Sequence, residues 1–418
     1  MKELLLIGAG YMGTPYLTAA ERLGVRVTVV ESALHRDRLA PQADRFILTE
    51  GTAEEDWAAA ATAAAYSCEP DGVLGFAEPQ VIAAALVQDA LDVPGPSLHA
   101  AVVSRNKALQ RGCFATAGLC QPKYLIVPDV ESGVSWARNR YPVIAKPLHS
   151  SGSAGVVQVL DEPTLVAVLQ SRLPQEKVLL EEFLVGAEYS WEALVRGGEV
   201  IFENVTAKET TGPPDFVELA HVGGARMSGA DMFTINSLGR GVVAAMRMQT
   251  GIVHLEFRMT ADGPAIVEVA VRTPGDYIMD VIALTHRFDP YAALIAMALD
   301  LPVALPSTAT PGAHGASWFP QFPAGRVARV NGLDALRTQP WVADVKLKVR
   351  AGETITPYSS SAQRVGHVLF QAPDLDELTA AMELARSTLT VELVDEPPPS
   401  EPAIGLSASV SPSSSRAG

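Results

Sequence analysis

Polar side chains at alternate positions form the most informative pattern in the sequence. In the segment GIVHLEFRMT, His254, Glu256 and Arg258 lie two residues apart, with apolar residues between them. Alternate side chains of a β-strand point to the same face, so the segment predicts a strand with one charged and one apolar face. The segment GPAIVEVAVR repeats the pattern with Glu268 and Arg272. Together the two segments predict a hairpin whose charged faces share one surface.

The turn of this hairpin decides which charges meet. If Ala261, Asp262 and Gly263 form a three-residue loop, with Gly263 in the left-handed conformation, Glu256 pairs directly with Glu268. Directly opposed residues have Cβ atoms about 4.5–5.5 Å apart, and like charges there repel. Without a cation we therefore expect local strain, which Mg²⁺ bound by both carboxylates would relieve. The alternative is a solvent-facing hairpin whose acids pair with its own arginines.

A loop of small residues follows a lysine that is a second candidate for a functional residue. In PVIAKPLHSSGSAGVVQV, a predicted strand carries Lys146 towards the loop at 150–155. Small residues let backbone N–H groups approach a polyphosphate, and a nearby ammonium balances its charge. The segment lacks the Walker A pattern. A flexible hairpin with a solvated lysine is the alternative.

Two acids of the segment VLLEEFLVGAEYSWEALV, Glu181 and Glu188, lie seven residues apart across a predicted turn. One carboxylate near an adenine edge and another on ribose hydroxyls would suit a nucleotide. Solvated charges at strand ends are the alternative for both.

The N-terminus carries the pattern of a dinucleotide site. Gly8, Gly10 and Gly13 form G-x-G-x-x-G after an apolar run, and Glu31 closes the next apolar run. An acid at that place holds a ribose hydroxyl in dinucleotide-binding folds. The first 31 residues alone therefore permit an NAD(P)-binding oxidoreductase.

Several elements must position these residues. Residues 1–95 alternate strand and helix, which predicts a parallel α/β unit of Rossmann type. Hairpin-like segments with one helix at 162–172 follow, then a helix at 236–250, the hairpin at 251–272 and a helix at 289–299. We divide the chain into an N-terminal domain (1–95), a central domain (96–310, with a flap at about 123–190), an α+β lobe (311–395) and a tail rich in Ser, Pro and Ala (396–418), which we expect to be disordered.

The composition excludes some classes of function. The net charge is −15, from 32 basic and 47 acidic residues, which argues against binding the phosphate backbone of a nucleic acid. The first apolar run predicts a strand rather than a signal peptide, and no apolar run has the ~20 residues of a membrane span. Three cysteines lack metal-ligand spacing and indicate reduced thiols. We expect a cytoplasmic protein without a nucleic-acid or membrane partner.

Five motifs in order resemble the ATP-grasp superfamily: SRNKALQR with Lys107, the flap after Lys146, EEFLVGAEYS, GIVHLEFRMT and IVEVAVRTPGD. The resemblance spans about residues 1–395 and is strongest to the carboxylate–amine ligases, including those that make dipeptides. It implies an ATP-grasp fold, of mixed α/β and α+β type, whose N-terminal Rossmann-like domain binds no dinucleotide. The three glycines would then serve tight turning and close packing.

The resemblance also implies roles for individual residues. ATP would be held by Lys107, Lys146, Ser150, Ser151, Gly152, Ser153, Gly155, Glu181, Leu184 and Glu188. Mg²⁺, or Mn²⁺ in its place, would be bound by Glu256 and Glu268. Arg272 and His254 would be the catalytic groups that face the acyl phosphate or the substrate carboxylate. Lys208, Glu218 and His221 resemble the segment that lines the amino-acid pocket, although a surface loop is the alternative.

One position departs from the family. The family usually reads E-x-N-x-R where this chain has Glu268, Ala270 and Arg272, so one metal ligand is missing and a second metal is in doubt. The implied reaction joins a carboxylate and an amine, two amino acids being the first choice, through an acyl phosphate with release of ADP and phosphate. A γ-glutamyl–amine ligase, a purine-pathway carboxylase, a non-catalytic nucleotide-binding member and a homodimeric assembly remain open.

Overall fold

The structure is a computed structural model that describes residues 1–150, 152, 154–306, 311–358 and 360–394. Ser151, Ser153 and the tail predicted at 396–418 lie outside the described residues. Within the described part of the chain, every helix is too short or too polar to cross a membrane.

The N-terminal part is a four-stranded parallel sheet with helices on both faces, as predicted. Its order is β3-β2-β1-β4, and an apolar cluster packs against each face. Its elements are β1 (Glu3–Ile7), α1 (Thr14–Leu23), β2 (Arg26–Glu31), α2 (Arg36–Leu39), β3 (Arg45–Leu48), α3 (Glu54–Cys68), β4 (Gly72–Gly75) and α4 (Val81–Leu91).

Two helices lead into a small antiparallel sheet, here called the lid, of order β5-β8-β6-β7. Asn106 caps the second helix by accepting the N–H groups of Ala108 and Leu109, and this cap fixes Lys107 at the first helical position. The elements are α5 (Leu98–Ser104), α6 (Lys107–Thr116), β5 (Tyr124–Ile126), α7 (Val130–Ala137), β6 (Val143–Pro147), β7 (Val157–Val159), α8 (Glu162–Arg172) and β8 (Val178–Glu182).

The central sheet starts from the next part of the chain. Its strands and the accompanying helices are β9 (Ala187–Arg196), β10 (Glu199–Thr210), β11 (Glu218–Gly223), α9 (Gly229–Ala245), β12 (Gly251–Thr260), β13 (Gly263–Ala270), α10 (Ile278–His286) and α11 (Pro290–Ala298). One face is apolar: Trp191, Leu255 and Val269 are buried there against α9. The opposite face carries the charged residues.

The C-terminal block extends the central sheet. Three of its strands complete an eight-stranded sheet of order β13-β12-β9-β10-β11-β14-β18-β16, and three others form a small sheet of order β17-β15-β19. The elements are β14 (His314–Trp318), β15 (Gly325–Asn331), α12 (Leu333–Arg337), β16 (Val342–Leu347), β17 (Thr354–Ile355), β18 (Gly366–Ala372), α13 (Leu375–Thr388) and β19 (Thr390–Leu393).

Two predicted elements differ from the structure. The helix expected at 236–250 is α9 (Gly229–Ala245). It begins earlier because Ser228 caps it, accepting the N–H of Asp231, and it ends earlier because Arg247 adopts a left-handed conformation, with φ 54°. The segment around Lys208 and Glu218 is not a surface loop: it forms the end of β10 and the start of β11.

Candidate active site

One large pocket lies between the lid and the charged face of the central sheet. It has a cavity volume of about 140 Å³ and is lined from both sheets, from α6 and from the N-terminal part. Most of the described residues singled out in the sequence line it: Lys107, Lys146, Ser150, Gly152, Glu181, Leu184, Glu188, Glu218, His254, Glu256, Glu268 and Arg272. The long-range fold therefore brings together groups that are up to 165 positions apart.

The β12–β13 hairpin places Glu256 opposite Glu268, as predicted, but by another route. Thr260 pairs with Gly263, so the expected three-residue loop is wrong. A β-bulge next to Glu256 restores the register. The bulge leaves the carbonyl of Val267 free of the ladder, and Arg111 Nη2 donates to it at 2.7 Å.

Both carboxylates of this pair have a lysine partner. Lys208 Nζ lies 2.8 Å from Glu256 Oε1, and Lys107 Nζ lies 2.9 Å from Glu268 Oε1. The expected strain from unrelieved repulsion is therefore wrong, because the chain supplies its own counter-charges. Burial opposes the charge of Glu256, but Lys208 and His254 outweigh it and hold the pKa of this carboxyl well below its ordinary value.

Lys208 is the centre of an acidic cluster. Its Nζ also lies 3.0 Å from Glu188 and 3.7 Å from Glu218, and its side chain is only 2% exposed. Burial disfavours an ammonium, yet Glu256, Glu188 and Glu218 raise the pKa of Lys208 well above its ordinary value. Lys208 thus contacts the pocket acids from beneath the lining rather than lining the pocket itself.

A buried triad forms the lid side of the pocket. Glu181 accepts from Arg111 Nε at 2.6 Å and faces Lys146 Nζ at 2.8 Å. Burial alone would raise the pKa of Glu181, but Arg111 and Lys146 lower it to about 2. Burial lowers the pKa of Lys146, although Glu181 opposes this. The triad fixes the Lys146 ammonium at the pocket wall.

The predicted flap meets the pocket at Ser150 and Gly152. The Ser150 carbonyl accepts from Lys107 Nζ at 2.7 Å. Gly155 does not line the pocket, and its carbonyl accepts from Arg172 at 2.6 Å. Near the predicted adenine and ribose positions, Arg258 donates to the Leu184 carbonyl at 2.9 Å and to Glu188 Oε2 at 3.0 Å.

Arg272 and His254 are both held by acids. Arg272 Nε donates to Glu78 Oε1 at 2.9 Å. His254 lies between Glu192, 3.0 Å from Nδ1, and Glu256, 3.4 Å from Nε2. Burial disfavours the imidazolium, but the hydrogen bonds to Glu192 and Glu256 outweigh it and raise the pKa of His254.

The part of the pocket next to the C-terminal block, here called its far end, contains Glu218, and His221 lies on the same strand. Residues three apart on a regular strand face opposite sides, but Thr210 pairs with Glu218 and Glu209 with Ala220, so Leu219 is bulged. The bulge brings Glu218 and His221 to the face of Lys208. His221 does not line the pocket; its Nε2 lies 3.2 Å from Asp276.

Sequence reasoning missed several residues that hold the site. Arg111 follows Lys107 by four positions, a helical spacing that puts both on one face of α6 and that could have identified it. Glu78, Asp276 and Arg364 gave no local signal, because their partners are distant in sequence.

The glycine-rich loop is occupied by the chain itself. Glu31 Oε2 accepts the N–H groups of Ala9 at 2.8 Å and Gly10 at 2.9 Å, and Oε1 accepts that of Ser32 at 2.7 Å. The amides that would cradle a pyrophosphate thus bind a carboxylate that is 3% exposed. A Cβ on Gly13 would lie 2.3 Å from the Ala9 carbonyl oxygen. The glycines serve a tight turn and close packing.

Three family models match the chain. They are an ATP-grasp N-terminal domain at residues 17–95, an ATP-grasp domain at 139–280 and an L-amino acid ligase C-terminal domain 2 at 318–394. The first covers most of the parallel sheet, the second most of the pocket, and the third the C-terminal block.

The chain is also similar in sequence to known proteins. The chain is 28% identical to protein y4rH of Sinorhizobium fredii over 68% of this chain and 60% of that protein. It is 24% identical to dapdiamide A synthase of Enterobacter agglomerans over 66% of this chain and 68% of that one. The first alignment thus spans less than two thirds of that relative's length.

A solved structure shows the same fold. An L-amino acid ligase from Bacillus licheniformis superposes with a TM-score of 0.81 at 21% identity, covering 94% of this chain and 99% of that chain. The chain thus combines an ATP-grasp N-terminal domain, an ATP-grasp domain and an L-amino acid ligase C-terminal domain 2, and it has the ATP-grasp fold.

Proposed function

We propose that the protein is an ATP-dependent carboxylate–amine ligase that joins two amino acids. The observation that carries the proposal is the placement of Glu256 and Glu268 opposite each other in a pocket that Lys107, Lys146 and Arg272 also line. Two carboxylates with several cations at one surface suit a metal-bound polyphosphate. The NAD(P) alternative has no such support, because Glu31 binds the amides of the glycine loop.

The acid pair fits Mg²⁺ in its chemistry. Both side chains are about a quarter exposed towards the pocket, and carboxylate oxygen is the ligand that Mg²⁺ prefers. Among the described residues no three His, Cys, Asp or Glu side chains form a metal-binding group. The ion would therefore take its other ligands from phosphate and water. Bound there, Mg²⁺ would neutralise charge on the phosphates of ATP.

The proposed reaction begins when the substrate carboxylate attacks the γ-phosphorus of ATP, forming an acyl phosphate and releasing ADP. The amine of the second substrate then attacks the acyl carbon, a proton leaves the nitrogen, and phosphate departs. Lys146, fixed by its buried triad, and Lys107 would hold the phosphates. Arg272 would stabilise the negative charge of the reacting group. No residue of the chain needs to be covalently modified.

The amino-acid substrates are inferred from the far end of the pocket and from the relatives. Glu218 lines the pocket there, Lys208 lies 3.7 Å from it, and His221 pairs with Lys208 on the neighbouring strand. The C-terminal block matches an L-amino acid ligase domain, and one relative bears the name dapdiamide A synthase. The names support amino acids as a class and leave the particular pair to experiment.

A phosphate-release screen of amino-acid pairs with MgATP tests the proposal. We expect one or more pairs to release phosphate, with ADP, phosphate and an amide formed in equal amounts, the amide being identified by mass spectrometry. AMP and pyrophosphate would indicate acyl adenylation and contradict the mechanism. ATP binding without turnover for every pair would favour a non-catalytic nucleotide-binding protein.

A further inference from the structure

A charged cluster joins the C-terminal block to the far end of the pocket. Asp276, between β13 and α10, accepts from both terminal nitrogens of Arg364, with Nη2 3.1 Å from Oδ2. The same Oδ2 lies 3.2 Å from His221 Nε2. Arg364 lies just before β18, and its side chain is 8% exposed. The C-terminal block thus contributes a buried cation to the surroundings of the proposed substrate.

The same guanidinium holds Glu218. Its Nη2 donates to the Glu218 carbonyl at 2.9 Å and to Oε2 at 3.0 Å. Ser361, from the same turn, donates to Oε2 at 3.0 Å. The guanidinium carbon lies 3.9 Å from the centre of the Phe319 ring, a cation–π contact. Arg364 therefore fixes two carboxylates that belong to different elements.

The backbone at Asp276 is held in an unusual conformation. Asp276 and Tyr277 have φ values of 58° and 61°, in the left-handed region that non-glycine residues rarely adopt. Such conformations persist where neighbouring contacts over-determine them. Here the Asp276 carbonyl also accepts from Ser317 at 2.9 Å. Arg364 is one of the contacts that keep this segment in place.

Two buried polar atoms of the cluster lack a partner among the described residues: His221 Nδ1 and Arg364 Nε. The Asp276 carboxylate faces His221 Nε2, so Nδ1 is the ring nitrogen that is left without a partner. Unpartnered buried atoms point to a small polar ligand, since such atoms are normally satisfied.

We propose that Arg364 is a positioning residue for the amino-acid substrate. It fixes Glu218, which lines the pocket, and Asp276, so that the Glu218 carboxylate receives the substrate's amino group. The inference rests on the proposed ligase function, and it gives the C-terminal block a part in binding the amino acid but not the nucleotide.

Isothermal titration separates the two kinds of binding without turnover. The twenty proteinogenic L-amino acids are titrated into the wild-type protein with Mg²⁺ and a non-hydrolysable ATP analogue, and the tightest binder is used on the variants. Arg364→Gln should raise the Kd of the amino acid about tenfold or more. The Kd of the ATP analogue should stay within about twofold of the wild-type value. Arg364→Lys keeps the charge without the planar guanidinium, so its Kd for the amino acid should lie between those of the wild type and Arg364→Gln.

A matched control comes from the same block. Arg386 donates to Glu209 Oε2 at 2.5 Å, and its side chain is 38% exposed. Arg386→Gln therefore removes a cation from the outer face, and this variant should bind both ligands with wild-type affinity. The inference would be overturned if Arg364→Gln lost equal affinity for both ligands or lost none. It would also be overturned if the wild-type protein bound no amino acid. If Arg364→Gln does not fold, Arg364→Lys decides by the same criterion. Amino-acid binding without ligation would count against the proposed function alone.

Discussion

Glu31 and Glu268 are carboxylates on strands, in sequence patterns that both indicate a nucleotide, yet their surroundings differ. Glu31 is closed in by three backbone N–H groups. Glu268 has one lysine partner and a side chain that is 28% exposed to the pocket. Backbone donors of a tight loop cannot move aside, whereas a lysine side chain can. A motif of this kind therefore marks a ligand site only where its charged groups can exchange their protein partners for a ligand.

The largest expected effect is on turnover. Glu268→Gln and Glu256→Gln keep size but remove one charge of the pair, so kcat should fall about 100- to 1,000-fold, because metal stabilisation of phosphate charge supplies several kcal/mol. Steady-state kinetics with MgATP measures this. Glu182→Gln is the control, since Glu182 lines the same pocket but pairs with Lys123 at 3.4 Å at the surface. Normal turnover in Glu268→Gln would remove the hairpin from the active site.

Lys146→Ala should lower both stability and activity. It leaves Glu181 and Arg111 as a broken buried cluster, and breaking a buried ion pair costs about 3–5 kcal/mol. Urea denaturation measures the loss. Lys123→Ala, at a side chain that is 74% exposed, should change stability by less than about 1 kcal/mol. Equal stability of the two variants would mean that Lys146 is not part of a buried triad.

The lowered pKa of the Glu181 carboxyl should make the stability of the protein depend on pH. Its pKa is lowered in the folded protein to about 2 from an ordinary 4.5. The stabilisation is therefore complete above pH 4.5 and is lost as the pH falls towards 2, by up to ~3 kcal/mol. Denaturation of the wild type and of Glu181→Gln between pH 6 and 3 measures it. The two stabilities should converge as the pH falls, and a constant difference would argue against this role.

Glu31→Gln should affect stability alone. The amide keeps an acceptor but loses charge-assisted bonds, so the free energy of unfolding should drop by about 1–3 kcal/mol. The kinetic constants of the folded protein should not change. A change in KM for ATP, or binding of NADH by either form in a fluorescence titration, would contradict the assignment of this carboxylate to structure.

The smallest expected effect is at Ala270, which lines the pocket two residues after Glu268. Ala270→Asn adds the amide oxygen that the family usually has there. Mg²⁺ with ATP should bind a few-fold more tightly, since another oxygen ligand replaces water. Titration of Mg²⁺ at fixed ATP measures the gain. Loss of activity would show that a substrate group fills this space.

The local part of the fold could be read from the sequence. The α/β alternation, the 162–172 helix and the charged faces of the hairpin follow from periodicity, which depends on near neighbours. The pairing of Glu256 with Glu268 was predicted for the wrong reason, because the loop is one residue shorter than expected and a one-residue bulge compensates for it. The alternation of polar and apolar residues does not reveal such a compensation.

The contacts that hold the site could not be read in this way. Arg111 meets Glu181 70 residues away, Arg272 meets Glu78 at a separation of 194, and Arg364 meets Glu218 at 146. Nothing in the local spacing of these residues specifies their partners. The joining of β14, β18 and β16 to the central sheet is of the same kind, since strand pairing between distant segments depends on the packed whole.

We expect the nucleotide to bind between the lid and the charged hairpin, and not at the glycine loop. Isothermal titration of MgATP into the wild type, Glu31→Gln and Glu268→Gln tests it most directly. We expect wild-type affinity for MgATP in Glu31→Gln and a loss of about tenfold or more in Glu268→Gln. The reverse pattern, with binding lost at Glu31 and kept at Glu268, would contradict it.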